Sequence, residues 1–318
     1  MDNSLKSTVK KSSTLIFFGN ERLSSGFSPT GAPTLQALID AGYDIAAVVA
    51  HHEEARSRKK RPLEIEAVAR AHGIPVLLPE RPADIINDIK AFKADAAVLV
   101  AYGKIIPQRV IDIFPKGIIN IHPSLLPRYR GPIPIEQAIL DGTQVTGVSI
   151  MQLAKAMDAG PVYAQEEVRL TGHESKQALT ERLLQIGSRL LIQNLPAILE
   201  EKLAPTPQDE SLATFCQLIS KQDSILDFGR PAEQLERAIR AFTTWPQSRA
   251  HITINDVAFE LIVTAATVVE RTIPKGVAVI DGDQLLIGTA KDALSVTLLK
   301  VPGKNEMNAA AFIRGYIR

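Results

Sequence analysis

The chain has 318 residues, 45% hydrophobic and 22% charged, which is ordinary globular chemistry at a length that suits two domains better than one. Its 36 Lys+Arg against 35 Asp+Glu leave a formal charge of +1, so bulk charge does not announce a nucleic-acid partner, although a local basic patch stays open. The single cysteine, Cys216, excludes an intrachain disulfide framework and a cysteine-based zinc cluster, and a reducing cytosol is the expected home.

The opening "MDNSLKSTVKKSST" lacks the apolar segment of a secretory signal and has no arginine, so it reads as a frayed tail. No later run approaches the ~20 apolar residues of a membrane span. From Thr14 the chain alternates short apolar runs with helical periodicity. "TLIFFG" (14–19) is a buried strand and "PTLQALIDAG" (33–42) a helix closed by glycine. "DIAAVVA" (44–50) is the next strand, and "PLEIEAVARAHG" (62–73) has proline at its start and glycine at its end. "PVLLP", "ADIINDIKAF", "AAVLVAYG" and "IIPQRVIDIF" continue the alternation into the strand "IINIH" (118–122). Strands that are apolar throughout, separated by helices, predict a parallel sheet covered on both faces.

After that strand come a short helix (134–142), strands at 145–153 and 162–170, and a longer helix in "SKQALTERLLQIGSRLLIQNLPAILEE". Prolines and polar residues then break the pattern over 202–231, the expected interdomain linker. The remainder differs in kind. One helix, "AEQLERAIRAF", precedes short alternating runs punctuated by Asn-Asp, Lys-Gly and Asp-Gly, the pattern of a small antiparallel barrel.

Side chains alternate along a strand, so Asn120 and His122 share one face of "IINIH" while Ile119 and Ile121 share the other. Ligands of open α/β sheets collect at the carboxyl ends of strands, where this pair sits. The strand ending near Leu153 runs into "AKAMDAGPV", and Asp158 joins the pair if that loop folds over the same edge. Each residue also has an ordinary reading: an asparagine at a strand end caps turns, and a lone histidine is usually structural. Ser124 as a hydrolytic nucleophile is weaker, because no G-x-S-x-G surrounds it.

"NIHPSLLPRYRG" followed by "TGVSIMQLAKAMDAGPV" resembles the folate-dependent formyltransferase family, which carries an Asn-x-His, an SLLP loop and a later Asp in a D-x-G turn. "VVAYGKIIP", "QDESLATFCQLISKQDSILDF", "RAFTTWPQS" and "PGKNEMNAAAFIRGY" extend the likeness over almost the whole chain, toward the members that act on methionyl initiator tRNA. The resemblance implies an α/β, Rossmann-like catalytic domain with a mostly parallel sheet (14–203), a linker (204–230) and an OB-like β-barrel (231–318). It implies Asn120, His122 and Asp158 as catalytic residues, and Ser124, Leu125, Leu126 and Pro127 as the loop lining the site of 10-formyltetrahydrofolate, the formyl donor. In acyl transfer to an amine a carbonyl oxygen gains negative charge, and an asparagine amide and an imidazole are suitable donors to it. Asp158 is suited to hold His122 in the right tautomer, or to take the amine's proton through a water. No metal is expected, since there is no H-E-x-x-H, and no NAD, since Gly19, Gly26 and Gly31 lack G-x-G-x-x-G spacing.

The loop 51–62 packs Arg56, Arg58, Lys59, Lys60 and Arg61, which read either as a solvated loop or as phosphate contacts. The family's basic loop at this place approaches the tRNA acceptor stem, and Arg58 best matches its functional arginine. Arg237, Arg240, Arg249, Lys300 and Lys304 are a second set of candidates, and Trp245 reads as interdomain packing. Four departures stand out. Asn20-Glu21 replaces Thr-Pro in a lengthened first turn and reads as surface variation; the 51–62 loop is short; Pro123 stands for glycine; Thr243-Thr244 stands for Asn-Pro. The expected partners are methionyl initiator tRNA and folate, with no membrane, for a monomer in the cytoplasm of bacterial type or in an organelle. The rival readings are formyl transfer to a sugar-nucleotide amine, hydrolysis of the folate donor, and an inactive tRNA- or folate-binding module.

Overall fold

The computed structural model describes residues 13–23, 31–51 and 63–317. Five apolar runs form parallel strands: β1 (Thr14–Gly19), β2 (Asp44–Val49), β3 (Val76–Leu77), β4 (Ala96–Val100) and β5 (Ile118–His122), in the spatial order β3-β2-β1-β4-β5. Their alternate residues enter two different cores, which is why the runs are apolar without a break. Leu15 and Phe17 pack on one face with α1 (Pro33–Asp40), α2 (Glu64–Ala71), α5 (Pro134–Asp141) and α6 (Lys176–Leu199). Ile16 and Phe18 pack on the other with α3 (Ile86–Ala91) and α4 (Gln108–Ile111).

Strand β5 is the seam between the cores and the site. Ile119 and Ile121 belong to the first core and Ile118 to the second, so Asn120 and His122 continue the Ile118 side. The first face is closed by α6, whose Ser175 N-cap oxygen accepts the Ala178 N–H at 3.2 Å. Helix and sheet approach so closely at Gly187 that a Cβ there would lie 2.6 Å from Ile121 Cγ2.

The sheet continues with β6 (Val145–Gln152) and β7 (Val162–Arg169), but both pairings are antiparallel. Ile119 therefore faces Gln152 and His122 faces Ser149. The chain leaves β6 beside the start of β5, not at its carboxyl end, and the loop 153–161 must return over the sheet to meet Asn120 and His122.

A second, antiparallel sheet runs β10 (Ala278–Asp281), β11 (Gln284–Gly288), β12 (Ala293–Lys300), β9 (Val257–Val269) and β8 (Ser248–Ile254), with β13 (Met307–Asn308) beside β12. It curls until β10 approaches β8, around a core shared with α7 (Ala232–Ala241) and α8 (Ala309–Phe312). Asn255 and Asp256, at φ 49° and 65°, form the two-residue turn between β8 and β9, the left-handed pair that matches strand twist. The segment between the two sheets is tied down at intervals rather than free. Thr206 bridges to Val162, Phe215 to Arg130 and Ile225 to Arg249. Among the described residues no helix is long and apolar enough to cross a membrane, and no group of three or more His, Cys, Asp or Glu is placed to hold a metal.

Candidate active site

Asn120 and His122 lie side by side on β5, each 5% exposed. The Asn120 amide makes no hydrogen bond among the described residues, so its donors are available to a ligand. His122 is anchored on one side only: its Nε2 lies 2.9 Å from the carbonyl oxygen of Tyr129. A carbonyl can only accept, so Nε2 carries the hydrogen and the neutral ring keeps its lone pair on Nδ1. That nitrogen faces Asp158 Oδ2 at 3.8 Å. The Tyr129 carbonyl thus sets the tautomer, and Nδ1 is the nitrogen that faces Asp158.

Asp158 reaches this position from the returning loop, with a backbone in the left-handed region at φ 47° that a non-glycine residue rarely adopts. Three contacts hold it there. The Gly131 N–H donates to Oδ2 at 2.8 Å, and the Gln208 side-chain nitrogen donates to the carbonyls of Asp158 at 2.8 Å and Gly160 at 2.6 Å. Position 160 admits only glycine, because a Cβ would meet the Gln152 carbonyl oxygen at 1.8 Å.

The loop Ser124–Pro127 is immobilised by its own polar groups. Ser124 is fully buried and its hydroxyl donates to the Arg128 carbonyl at 2.6 Å, which removes it from consideration as a nucleophile. Ser149 donates to the Ser124 carbonyl at 2.6 Å and accepts from the Leu126 N–H at 3.1 Å. Gln165 donates to the Leu126 carbonyl and to Ser149 Oγ, both at 2.8 Å. Leu126 and Pro127 then line a cavity of 360 Å³ with Tyr163, Gln165 and Gln208. Leu125 and Pro127 border another of 640 Å³ with Arg128, Tyr129 and Glu167. Burial, then the neighbouring Asp141, push the Tyr129 phenol up to about 12, so it stays neutral.

The departure Asn20-Glu21 is not surface variation. Glu21 is completely buried, and its two carboxylate oxygens accept the N–H groups of Thr34 at 2.8 Å and Leu35 at 2.9 Å. It caps the start of α1 from outside the helix, a task that no local pattern announces. Burial raises its carboxyl from 4.5 to about 7 against the opposing pull of those N–H groups. Asn20 fastens β1 to the end of β2 through a 2.9 Å bond to the His51 carbonyl.

The basic candidates divide. Arg56, Arg58, Lys59, Lys60 and Arg61 lie outside the described residues, as does Gly26. Of the second set, Arg237 pairs with Glu233 at 2.7 Å, Arg240 with Glu236 at 2.6 Å, Arg249 with Glu260, and Lys300 with Glu306 at 3.8 Å. Arg237 and Arg240 also donate to the carbonyls of Leu140 and Glu174, so they bind α7 to the first domain's surface.

Comparison with known proteins agrees with this architecture. The "Formyl transferase" family model matches residues 22–195 and the "Formyl transferase, C-terminal domain" model matches 218–317. The methionyl-tRNA formyltransferase of Lachnospira eligens is 34% identical over 295 residues, covering 89% of this chain and 92% of that one. The enzyme of the same name from Chloroflexus aggregans is 36% identical over 287 residues, covering 88% and 92%. Among solved structures, HypX from Aquifex aeolicus in complex with tetrahydrofolic acid superposes with a TM-score of 0.64 at 16% identity, over 95% of this chain and 48% of its own. The chain thus spans about half the length of HypX. An N-formyltransferase from Helicobacter canadensis, in complex with folinic acid and dTDP-3-aminofucose, gives 0.65 at 16% identity over 89% and 97%. These two structures speak to the fold, whereas the relatives above 30% identity speak to kinship. With both family domains present and such relatives matched nearly end to end, the chain belongs to the methionyl-tRNA formyltransferase family.

Proposed function

We propose that this protein transfers the formyl group of 10-formyltetrahydrofolate to the α-amino group of methionyl initiator tRNA, and that Asn120, His122 and Asp158 carry the reaction. The observation that supports the site most directly is that Asn120, whose buried amide has no hydrogen-bond partner among the described residues, shares the β5 face with His122, whose Nδ1 faces the Asp158 carboxylate. The amine nitrogen attacks the formyl carbon, the carbonyl becomes an oxyanion, and collapse breaks the bond to the folate N10. The Asn120 N–H and a protonated His122 Nδ1 supply hydrogen bonds to the oxyanion, a role worth on the order of 10²–10³ in rate per donor in comparable sites. Asp158, facing Nδ1 at 3.8 Å, accepts the proton that the amine sheds, which leaves on the folate nitrogen.

The cavity beside Leu126 and Pro127 is the proposed folate wall, in keeping with the tetrahydrofolic acid and folinic acid bound to the two solved proteins of this fold. We assign acceptor-stem contact to the loop of Arg56, Arg58, Lys59, Lys60 and Arg61, on the strength of its five cations in six residues. The catalytic domain is taken as 14–203, the linker as 204–230 and the barrel as 231–318, a division supported by the change from the first sheet to the second.

The test is an acceptor assay with labelled 10-formyltetrahydrofolate and, in parallel, charged initiator tRNA, charged elongator tRNA and a sugar-nucleotide amine. Label on the initiator tRNA alone is the expected result. Label on the sugar alone would overturn the tRNA assignment, and free formate with no acceptor labelled would point to hydrolysis.

A further inference from the structure

Asp158 is held by a residue from a distant, irregular part of the chain. The Gln208 side-chain nitrogen spans the two carbonyls that flank Asp158's turn, at 2.8 Å to Asp158 O and 2.6 Å to Gly160 O. Its oxygen is fixed in turn by Arg130, whose Nε and Nη2 donate to it at 3.0 and 2.8 Å. This settles which end of the amide faces the turn: the guanidinium can only donate, so the Gln208 oxygen must face it. Arg130 is itself 2% exposed and paired with Glu210 through bonds of 2.9 and 2.7 Å. Its backbone is stitched to the same segment by Arg130 N–H to Thr214 O at 2.9 Å and Cys216 N–H to Arg130 O at 2.8 Å. The next residue, Gly131, donates to Asp158 Oδ2. Position 131 tolerates no side chain, since a Cβ would meet the Cys216 carbonyl at 2.5 Å.

These contacts close a ring, from the Asp158 backbone to Gln208, to Arg130, to Gly131 and back to the Asp158 carboxylate. The half-buried Asp158, at φ 47°, lies in neither helix nor strand, so the ring is what fixes the carboxylate against His122. We propose that Gln208 is a positioning residue for the reaction, acting through Asp158, and that the segment 206–216 is part of the catalytic apparatus rather than a tether. The inference rests on the catalytic reading of Asp158 given above.

The experiment compares Gln208→Met and Gln208→Glu in the full chain with the wild type, using 10-formyltetrahydrofolate and methionyl initiator tRNA well below the melting temperature. Methionine keeps the length without hydrogen bonds. Glutamate keeps the oxygen that Arg130 holds, but in place of the donated hydrogens it sets a charged oxygen against the Asp158 and Gly160 carbonyls. Both variants should lose about 10- to 100-fold in kcat, the scale of a small misplacement of a reacting group, with KM for each substrate within about threefold. Unchanged kcat in either variant would overturn the proposal. So would a rise in folate KM alone, which would make Gln208 only a wall of the 360 Å³ cavity it lines. A loss that merely tracks the unfolded fraction would overturn it too. Asp158→Asn is run alongside. If it turns over normally, the catalytic reading fails; if it is inactive while Gln208→Met is normal, only the positioning role fails.

Discussion

His122 and Tyr129 are joined by a 2.9 Å bond from the ring Nε2–H to the backbone carbonyl, which leaves Nδ1 facing Asp158 at 3.8 Å. The bond assigns the two ring nitrogens opposite duties. One anchors the ring, and the other is open to the reacting groups and to the carboxylate. A backbone acceptor cannot be removed by substitution, so the anchoring is robust, whereas the working side depends on two mutable residues, Asn120 and Asp158.

Asn120→Ala should lower kcat by about 10²- to 10³-fold while KM for both substrates changes little, because the amide acts on charge that develops only in the transition state. Steady-state kinetics on the purified variant decide this. A rise in KM with kcat intact would make Asn120 a binding residue instead.

Ser149→Ala tests the loop. Ser149 is fully buried and serves three partners at once, the Ser124 carbonyl, the Leu126 N–H and the Gln165 amide. Removing its hydroxyl strands buried groups, at a cost of about 1–3 kcal/mol in chemical denaturation, and loosens the proposed folate wall. A raised KM for the folate donor should accompany the lost stability.

Gly187→Ala inverts the usual rule. Alanine stabilises an ordinary helix interior by roughly 1 kcal/mol over glycine. Here the new methyl would lie 2.6 Å from Ile121 Cγ2 and 3.2 Å from Val148 Cγ1. Overpacking of that kind costs about 1–3 kcal/mol. The variant should therefore melt below the wild type, and a higher Tm would contradict the packing described for α6 against β5.

Glu21 predicts a pH dependence of stability. Its carboxyl ionises near 4.5 when free and near 7 in the fold. Between those values the native state holds a proton that the unfolded chain has released, so stability falls as pH rises through the window. The slope from this one group reaches about 1.4 kcal/mol per pH unit. Glu21→Gln removes the titration, so its melting temperature should vary less than the wild type's between about pH 5 and pH 7. Parallel curves for the two proteins would count against a neutral Glu21.

Much of the fold is legible in the sequence for a simple reason. Strands β1, β2 and β4 send buried residues into both cores, so "TLIFFG", "DIAAVV" and "AAVLV" stand out as apolar runs. Asn120 and His122 interrupt such a run at period two, and that made them visible. The direction of β6 was not legible, because an antiparallel strand buried on both sides carries the same apolar signature as a parallel one. Asp158 therefore comes to the site by a route the sequence did not indicate. Gln208 and Tyr129 were hidden for another reason: they act on or through backbone atoms, 50 residues from Asp158 in one case and 7 from His122 in the other, and no side-chain pattern records such bonds. Glu21 looked like a polar loop residue, since its partners are the first N–H groups of a helix 13 and 14 positions away.

Whether the Asp158 carboxylate beside His122 drives formyl transfer is decided by the single-turnover rate of Asp158→Asn. Excess enzyme is mixed with 10-formyltetrahydrofolate and charged initiator tRNA, and formylmethionyl-tRNA is followed in time. Asparagine keeps the shape and an oxygen for the Gly131 N–H but neither the charge nor the proton acceptor. The rate should fall by at least about 10²-fold, the scale of a lost general base, with the fold intact by circular dichroism and melting. A single-turnover rate equal to that of the wild type would exclude Asp158 from the reaction.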